Sequence, residues 1–136
     1  MTSNVSITIT GHLADEPKCQ PTKTGKLVTN FVVIANDRMF DRDRNEWVDV
    51  NKTIIRVNCW GPLAETVADS LSKGSRVTVT GHRLIADAYL GQDSKPRAGL
   101  DLTADTVAVD LKGQKAQITR LGRTTANDAD NNEPPF

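Results

Sequence analysis

At 136 residues, 38% of them hydrophobic, the chain is long enough for one compact domain and a tail. It has no apolar run near the 18 residues of a membrane span, no basic-then-apolar leader, and two cysteines, Cys19 and Cys59, that fit no zinc spacing; we expect a cytoplasmic protein with free thiols, no cofactor and no metal. A formal net charge of zero argues against binding duplex DNA through a broad basic face, which usually needs a pI above ~9.

Strand signals dominate from the start. Val5 to Thr10 alternates apolar and polar at period two, with β-branched residues throughout, until Gly11 imposes a bend or a bulge. Pro17 and Pro21 bracket a turn-rich stretch. Thr24-Gly25 turns into a second strand, Lys26 to Asn36, with Phe31, Val33 and Ala35 on one face. Residues 37–52 are polar and charged and read as a long loop or a flexible hairpin tip that contains Phe40 and Trp47. A third strand, Thr53 to Trp60, puts Ile55, Val57 and Cys59 on the core side. Ile54, Arg56, Asn58 and Trp60 fall on the other side.

The one good helix runs from Pro62 to Ser72. Proline suits its first position, and Leu63, Val67 and Leu71 form a narrow apolar stripe. Lys73-Gly74 closes it with a cation and a glycine. The fourth strand starts at Arg76, meets Gly81 and runs on towards Tyr89. Gly91 to Gly99, with Pro96, reads as a loop. The fifth strand, Leu100 to Leu111, flips phase between positions 104 and 107, which predicts a bulge there. Three strands, a helix and two strands, with glycines inside the first and fourth, form the pattern of an all-β OB-fold. That is a five-stranded barrel with one helix between strands three and four.

Periodicity disappears at residue 113. We therefore expect a domain over 1–112, a disordered linker over 113–130 and a terminal tip over 131–136. The zero net charge is patterned accordingly. Residues 1–112 carry 14 Lys/Arg and 14 Asp/Glu, residues 113–125 carry +3, and residues 126–136 carry −3. The tip, Asn131-Asn132-Glu133-Pro134-Pro135-Phe136, cannot pack a core. Its prolines keep it extended, and a phenylalanine beside a free carboxylate asks for an apolar pocket with a basic rim. It reads either as a docking peptide or as a solubilising acidic end. His12 and His82 follow matching Thr-Gly pairs without a ligand cluster, so bend chemistry explains them better than a metal. No carboxylate pair at metal spacing and no paired nucleophile and base support an enzyme.

At this point the chain resembles a bacterial single-stranded DNA-binding protein along nearly its whole length. Four stretches carry the likeness: Asn4 to Pro17; Gly25 to Ala35; Trp60-Gly61-x-Leu63-Ala64-Glu65; and Leu71-x-Lys73-Gly74-x-Arg76-Val77-x-Val79-x-Gly81. The tail Glu133-Pro134-Pro135-Phe136 is similar to that family's acidic proline-phenylalanine end. Phe40-Asp41-Arg42 with Glu46-Trp47 resembles its actinobacterial branch.

The resemblance implies single strands wrapped over OB-folds, usually by a homotetramer, and recruitment of replication and repair proteins through the tip. By position, Trp60 and Phe40 lie where the family stacks aromatics on bases. Trp47, with no core to join among its charges, is a third platform, and Tyr89 aligns as a fourth if one residue is inserted. Arg56 shares the face of Trp60 and should meet phosphates; Arg38, Lys52, Lys73 and Arg76 are further backbone contacts. Ile54, in the same set, stands where the best-known branch has a tryptophan. Other departures are the few basic residues after Gly81, Pro62 in place of a common basic residue, and the short linker. These leave open an interaction adaptor on an OB scaffold, a phage- or plasmid-encoded paralogue, and an RNA binder of cold-shock type.

Overall fold

Period-two alternation buries Ile9, Gly11 and Leu13 of the first strand, β1 (Ser6–Leu13), and leaves Thr8 and His12 outside. The computed structural model describes residues 3–122. Six strands and one helix follow the order β1, β2 (Lys18–Pro21), β3 (Leu27–Asp41), β4 (Glu46–Trp60), α1 (Pro62–Ser70), β5 (Arg76–Leu90) and β6 (Pro96–Val109). Neighbouring strands run β1-β5-β6-β4-β3, and β1 returns to β3 through His12↔Ile34 and Leu13↔Val33. Five strands therefore close a barrel, the expected OB-fold, with the helix between its third and fourth strands. All pairings are antiparallel except β4 with β6.

Closure needs backbones to approach closely at two points. A Cβ on Gly11 would run into the Ile34 carbonyl, and one on Gly81 into the Thr103 carbonyl and Leu102 Cγ. The interior is filled by Val33, Val57, Cys59, Val77, Val79 and Leu102, all fully buried. The helix covers one end with Ala64, Val67 and Leu71. Thr29 is buried there, and its hydroxyl donates to the Ala64 carbonyl at 2.6 Å, so the polar group is satisfied.

The phase flip in the last strand is a bulge: Thr80 pairs with Thr106, Gly81 with Ala104, and Asp105 is the extra residue. Its carboxylate meets His82 Nδ1 at 2.7 Å, which accounts for that histidine. Burial pushes the Cys59 thiol up to about 12, so it stays protonated and unreactive.

Several expectations need correction. Residues 37–52 are mostly strand: β3 and β4 pair as far as Asp41↔Glu46, leaving a turn over 42–45 with Asn45 at φ 54°. The arm projects into water on both faces, so charges interleave and no burial period marks it. The loop at 91–99 shrinks to residues 91–95, because Pro96 opens β6 opposite Leu90, and proline is tolerated as a first strand residue. The helix stops at Ser70; Leu71 is already extended (φ −105°, ψ 152°), although its N–H still bonds the Val67 carbonyl. The last strand ends at Val109 rather than Leu111. Strand β2, fully exposed and flanked by proline, gave no alternation to detect.

Candidate nucleic-acid interface

The β3–β4 ribbon carries one continuous outer face. Across it Trp60 opposes Val28, Asn58 opposes Asn30, Arg56 opposes Val32, Ile54 opposes Ile34 and Lys52 opposes Asn36. Directly opposed residues share a face, and alternation would turn odd-numbered β4 residues inward. The register then shifts. From Asn36↔Lys52 to Arg38↔Asp49, β3 advances two residues while β4 retreats three. The extra β4 residue, within Val50-Asn51, reverses the phase and returns Asp49 and Trp47 to the face of Lys52 and Trp60. Phe40 opposes Trp47 there, with ring centroids 5.6 Å apart and planes at 63°. The three aromatics are 47% (Trp60), 40% (Phe40) and 61% (Trp47) exposed, so their rings are free to receive another flat group.

Beyond β4 the surface continues onto β6 and β5. Arg56 is opposite Asp101 in the parallel pair, its Nε 4.0 Å from the Asp101 carboxylate. Tyr89 lays its ring over Gly99, where an added Cβ would meet Cδ1 and Cε1 at 3.3 Å. This glycine gives the tyrosine a flat seat that no larger residue would leave. Val32, Ile54, Arg56, Tyr89, Asp87 and Asp101 line a groove of about 360 Å³. A second groove, of about 520 Å³, is lined by Arg56, Asn30, Asn58, Lys18, Glu16 and Asp101. Both contain Val32, Arg56 and Asp101, so they form one trough with Arg56 at its centre.

Not every expected contact belongs to that trough. Arg38 and Arg76 line a separate groove of about 470 Å³ with His12, Asn36, Ile34 and Lys112. It lies over the β1–β3 seam, where His12 pairs with Ile34 and with Arg76. Arg38 faces Asp49 at 3.4 Å, and Arg76 holds Asp110 at 2.7 Å. The Lys112 N–H and then the Arg76 guanidinium keep the Asp110 carboxyl below its usual range. Gln114 clasps the Arg76 backbone, donating to its carbonyl at 2.8 Å and accepting from its N–H at 3.3 Å. Lys73 lines neither groove of the trough and touches it only through its backbone N–H, which donates to Glu16 at 3.0 Å. The tip, Asn131 to Phe136, lies outside the described residues.

Sequence reasoning missed Asn30, Val32, Asn58, Lys18 and Asp101 as trough residues. The first three carried a usable signal, since each has the outward parity of its strand. Asp101 carried none, because only the parallel β4–β6 contact brings it to Arg56.

A face with exposed rings beside a trough with a tyrosine, amide edges and one guanidinium can hold a flexible chain of flat, anionic units. Every base has a π-face, so such platforms grip a single strand without reading it.

A model described as the single-strand binding protein family matches residues 5–110. Among curated proteins, the single-stranded DNA-binding protein of Paenarthrobacter aurescens is 34% identical over 131 residues, 96% of this chain and 76% of that protein. Its namesake in Mycolicibacterium smegmatis is 35% identical over 124 residues, 91% of this chain and 74% of that one. The Corynebacterium glutamicum protein of the same name is 37% identical over 120 residues, 88% of this chain but 53% of its own length. The crystal structure of a small single-stranded DNA-binding protein from Streptomyces coelicolor superposes with a TM-score of 0.69 at 24% identity, over 81% of this chain and 97% of that one, which shows a common fold.

Proposed function

The chain belongs to the single-strand binding protein family, and from that premise we propose that it binds single-stranded DNA independently of sequence along the outer β3–β4 face and the Arg56 trough. Membership of this family makes it a binding protein and not an enzyme. The observation that carries the reading is the extra residue in β4. It puts Trp47 on the face that Phe40 shares with Trp60 and Arg56, where strict alternation would have turned Trp47 away. Bases stack on Trp60, Phe40, Trp47 and Tyr89, while Arg56 and Lys52 meet phosphates. Arg38 and Arg76, over the β1–β3 seam, take the strand as it leaves the trough, and Lys73 meets it beside Glu16.

The biological setting we propose is protection of single strands in replication, recombination and repair, in the nucleoid-bearing cytoplasm, by a homotetramer. The tip from Asn131 to Phe136 recruits the enzymes that act on those strands. Its acidic, aromatic chemistry supports that assignment.

A titration of intrinsic tryptophan fluorescence with dT oligomers of increasing length tests the core of this reading. Binding should quench the emission, since two tryptophans lie on the proposed path. Trp60→Ala and Phe40→Ala should each weaken binding by about 1–3 kcal/mol, the loss of one stacking platform. Unchanged affinity in both variants would show that the strand runs elsewhere.

A further inference from the structure

Arg56 is the central cation of the trough, yet the walls around it are acidic. Asp101 lies directly across the β4–β6 pair with its carboxylate 4.0 Å from the guanidinium. Asp87 lines the trough on one side of Arg56 and Asp15 and Glu16 on the other, against a single further cation, Lys18. At 4.0 Å the pair is an electrostatic contact rather than a hydrogen bond, so a phosphate that meets Arg56 shares its charge with Asp101, and a carboxylate beside a phosphate is a like-charge contact.

We infer that Asp101 is an internal competitor for Arg56: it faces the guanidinium in the free protein, gives way to the nucleic-acid phosphate, and thereby sets the affinity for single strands below what the trough could reach. The inference rests on the proposed binding face. The geometry fits a competitor rather than a structural pair. Arg56 is 67% and Asp101 40% exposed, so water screens the pair and the fold gains little from it. Both side chains can swing without unpacking the core, which lies on the opposite side of each strand. Arg76 and Asp110 make the contrast, at 2.7 Å and under a third exposed, with Gln114 clasped behind them. A trough with an internal counter-charge releases its strand readily, which suits a protein that must give way to enzymes acting on the same DNA.

The test compares the parent 136-residue chain with Asp101→Asn, Arg56→Ala and the double variant, titrated with dT oligomers at several salt concentrations. Asparagine keeps the shape and removes the charge. Asp101→Asn should tighten binding by roughly 2- to 5-fold, the scale of releasing an exposed ion pair. It should also steepen the salt dependence by up to ~0.7 in log K per log salt, one more phosphate neutralised. In the Arg56→Ala background the same substitution should bring no such gain. Asp87→Asn removes a charge from the same groove but has no ion-pair partner among the described residues, and it should tighten binding less. If Arg56→Ala weakens binding while Asp101→Asn changes nothing, the inference fails and the binding face stands. If the gain survives without Arg56, or Asp87→Asn matches it, the effect is general charge and the inference fails. If Arg56→Ala leaves affinity and salt slope untouched, the binding face itself is wrong.

Discussion

Gly81→Ala should lower the stability of the barrel by about 3 kcal/mol or more, at the upper end of what overpacking costs. The added methyl would run into the Thr103 carbonyl and Leu102 Cγ. Neither can retreat. Thr103 is pinned on both sides, paired with Asn58 of β4 and with His82 of β5, and Leu102 is fully buried. A domain of this size should then melt on the order of 10–20 °C lower. Gly122→Ala is the matched control, since nothing lies within 4 Å of the added carbon. Thermal unfolding followed by circular dichroism checks both. A Gly81→Ala protein that melts within a few degrees of the parent would mean that the β5–β6 crossing is looser than described.

The second large effect concerns partners. Phe136→Ala should abolish capture of replication- and repair-type proteins from a cell extract while leaving melting temperature and affinity for dT intact. Deleting Glu133 to Phe136 should do the same, with unchanged or slightly higher affinity for the oligomer, because one negative charge is gone. The phenylalanine variant alters no charge, so it separates the aromatic anchor from the acidic field. A mass-spectrometric comparison of proteins retained by the three forms decides the matter. If the parent and both variants hold the same proteins, the tip is a solubilising end.

The sequence made the barrel legible wherever one side of a strand is buried. Val5 to Thr10, Phe31 to Ala35 and Ile55 to Cys59 alternate because one face meets the core: the structure buries Ile9, Phe31, Val33, Ile55, Val57 and Cys59, half-buries Ile7 and Ala35, and leaves only Val5, ahead of the strand, exposed. The phase flip near Asp105 announced a real bulge for the same reason. Where both faces meet water the signal vanished. The arm beyond Asn36 and the whole of β2 are ordered by backbone ladders, which leave no trace in side-chain chemistry. The site was legible by halves. Trp60 and Arg56 follow from parity alone, whereas Trp47 reaches their face only through an extra β4 residue that no local pattern reveals. Pairs made across the fold, Arg56 with Asp101 and Tyr89 over Gly99, depend on strand order and became visible only with it.

The closing strand β1 also sets a timetable. It pairs with β3 through residues as near as Ile34, but its long partner is β5, where Ser6 meets His82. A chain emerging from the ribosome thus carries its first strand unpartnered along one edge until most of the domain has been made. The barrel can shut only after α1 and β5 have appeared, and its parallel β4–β6 contact waits for the final strand. Non-local pairing of this kind places folding in the range of roughly milliseconds to seconds rather than microseconds. Until β5 is made, the backbone groups of Ser6 to Gly11 have no ladder partner, and the hydroxyls of Ser6, Thr8 and Thr10 keep one face of that waiting strand polar.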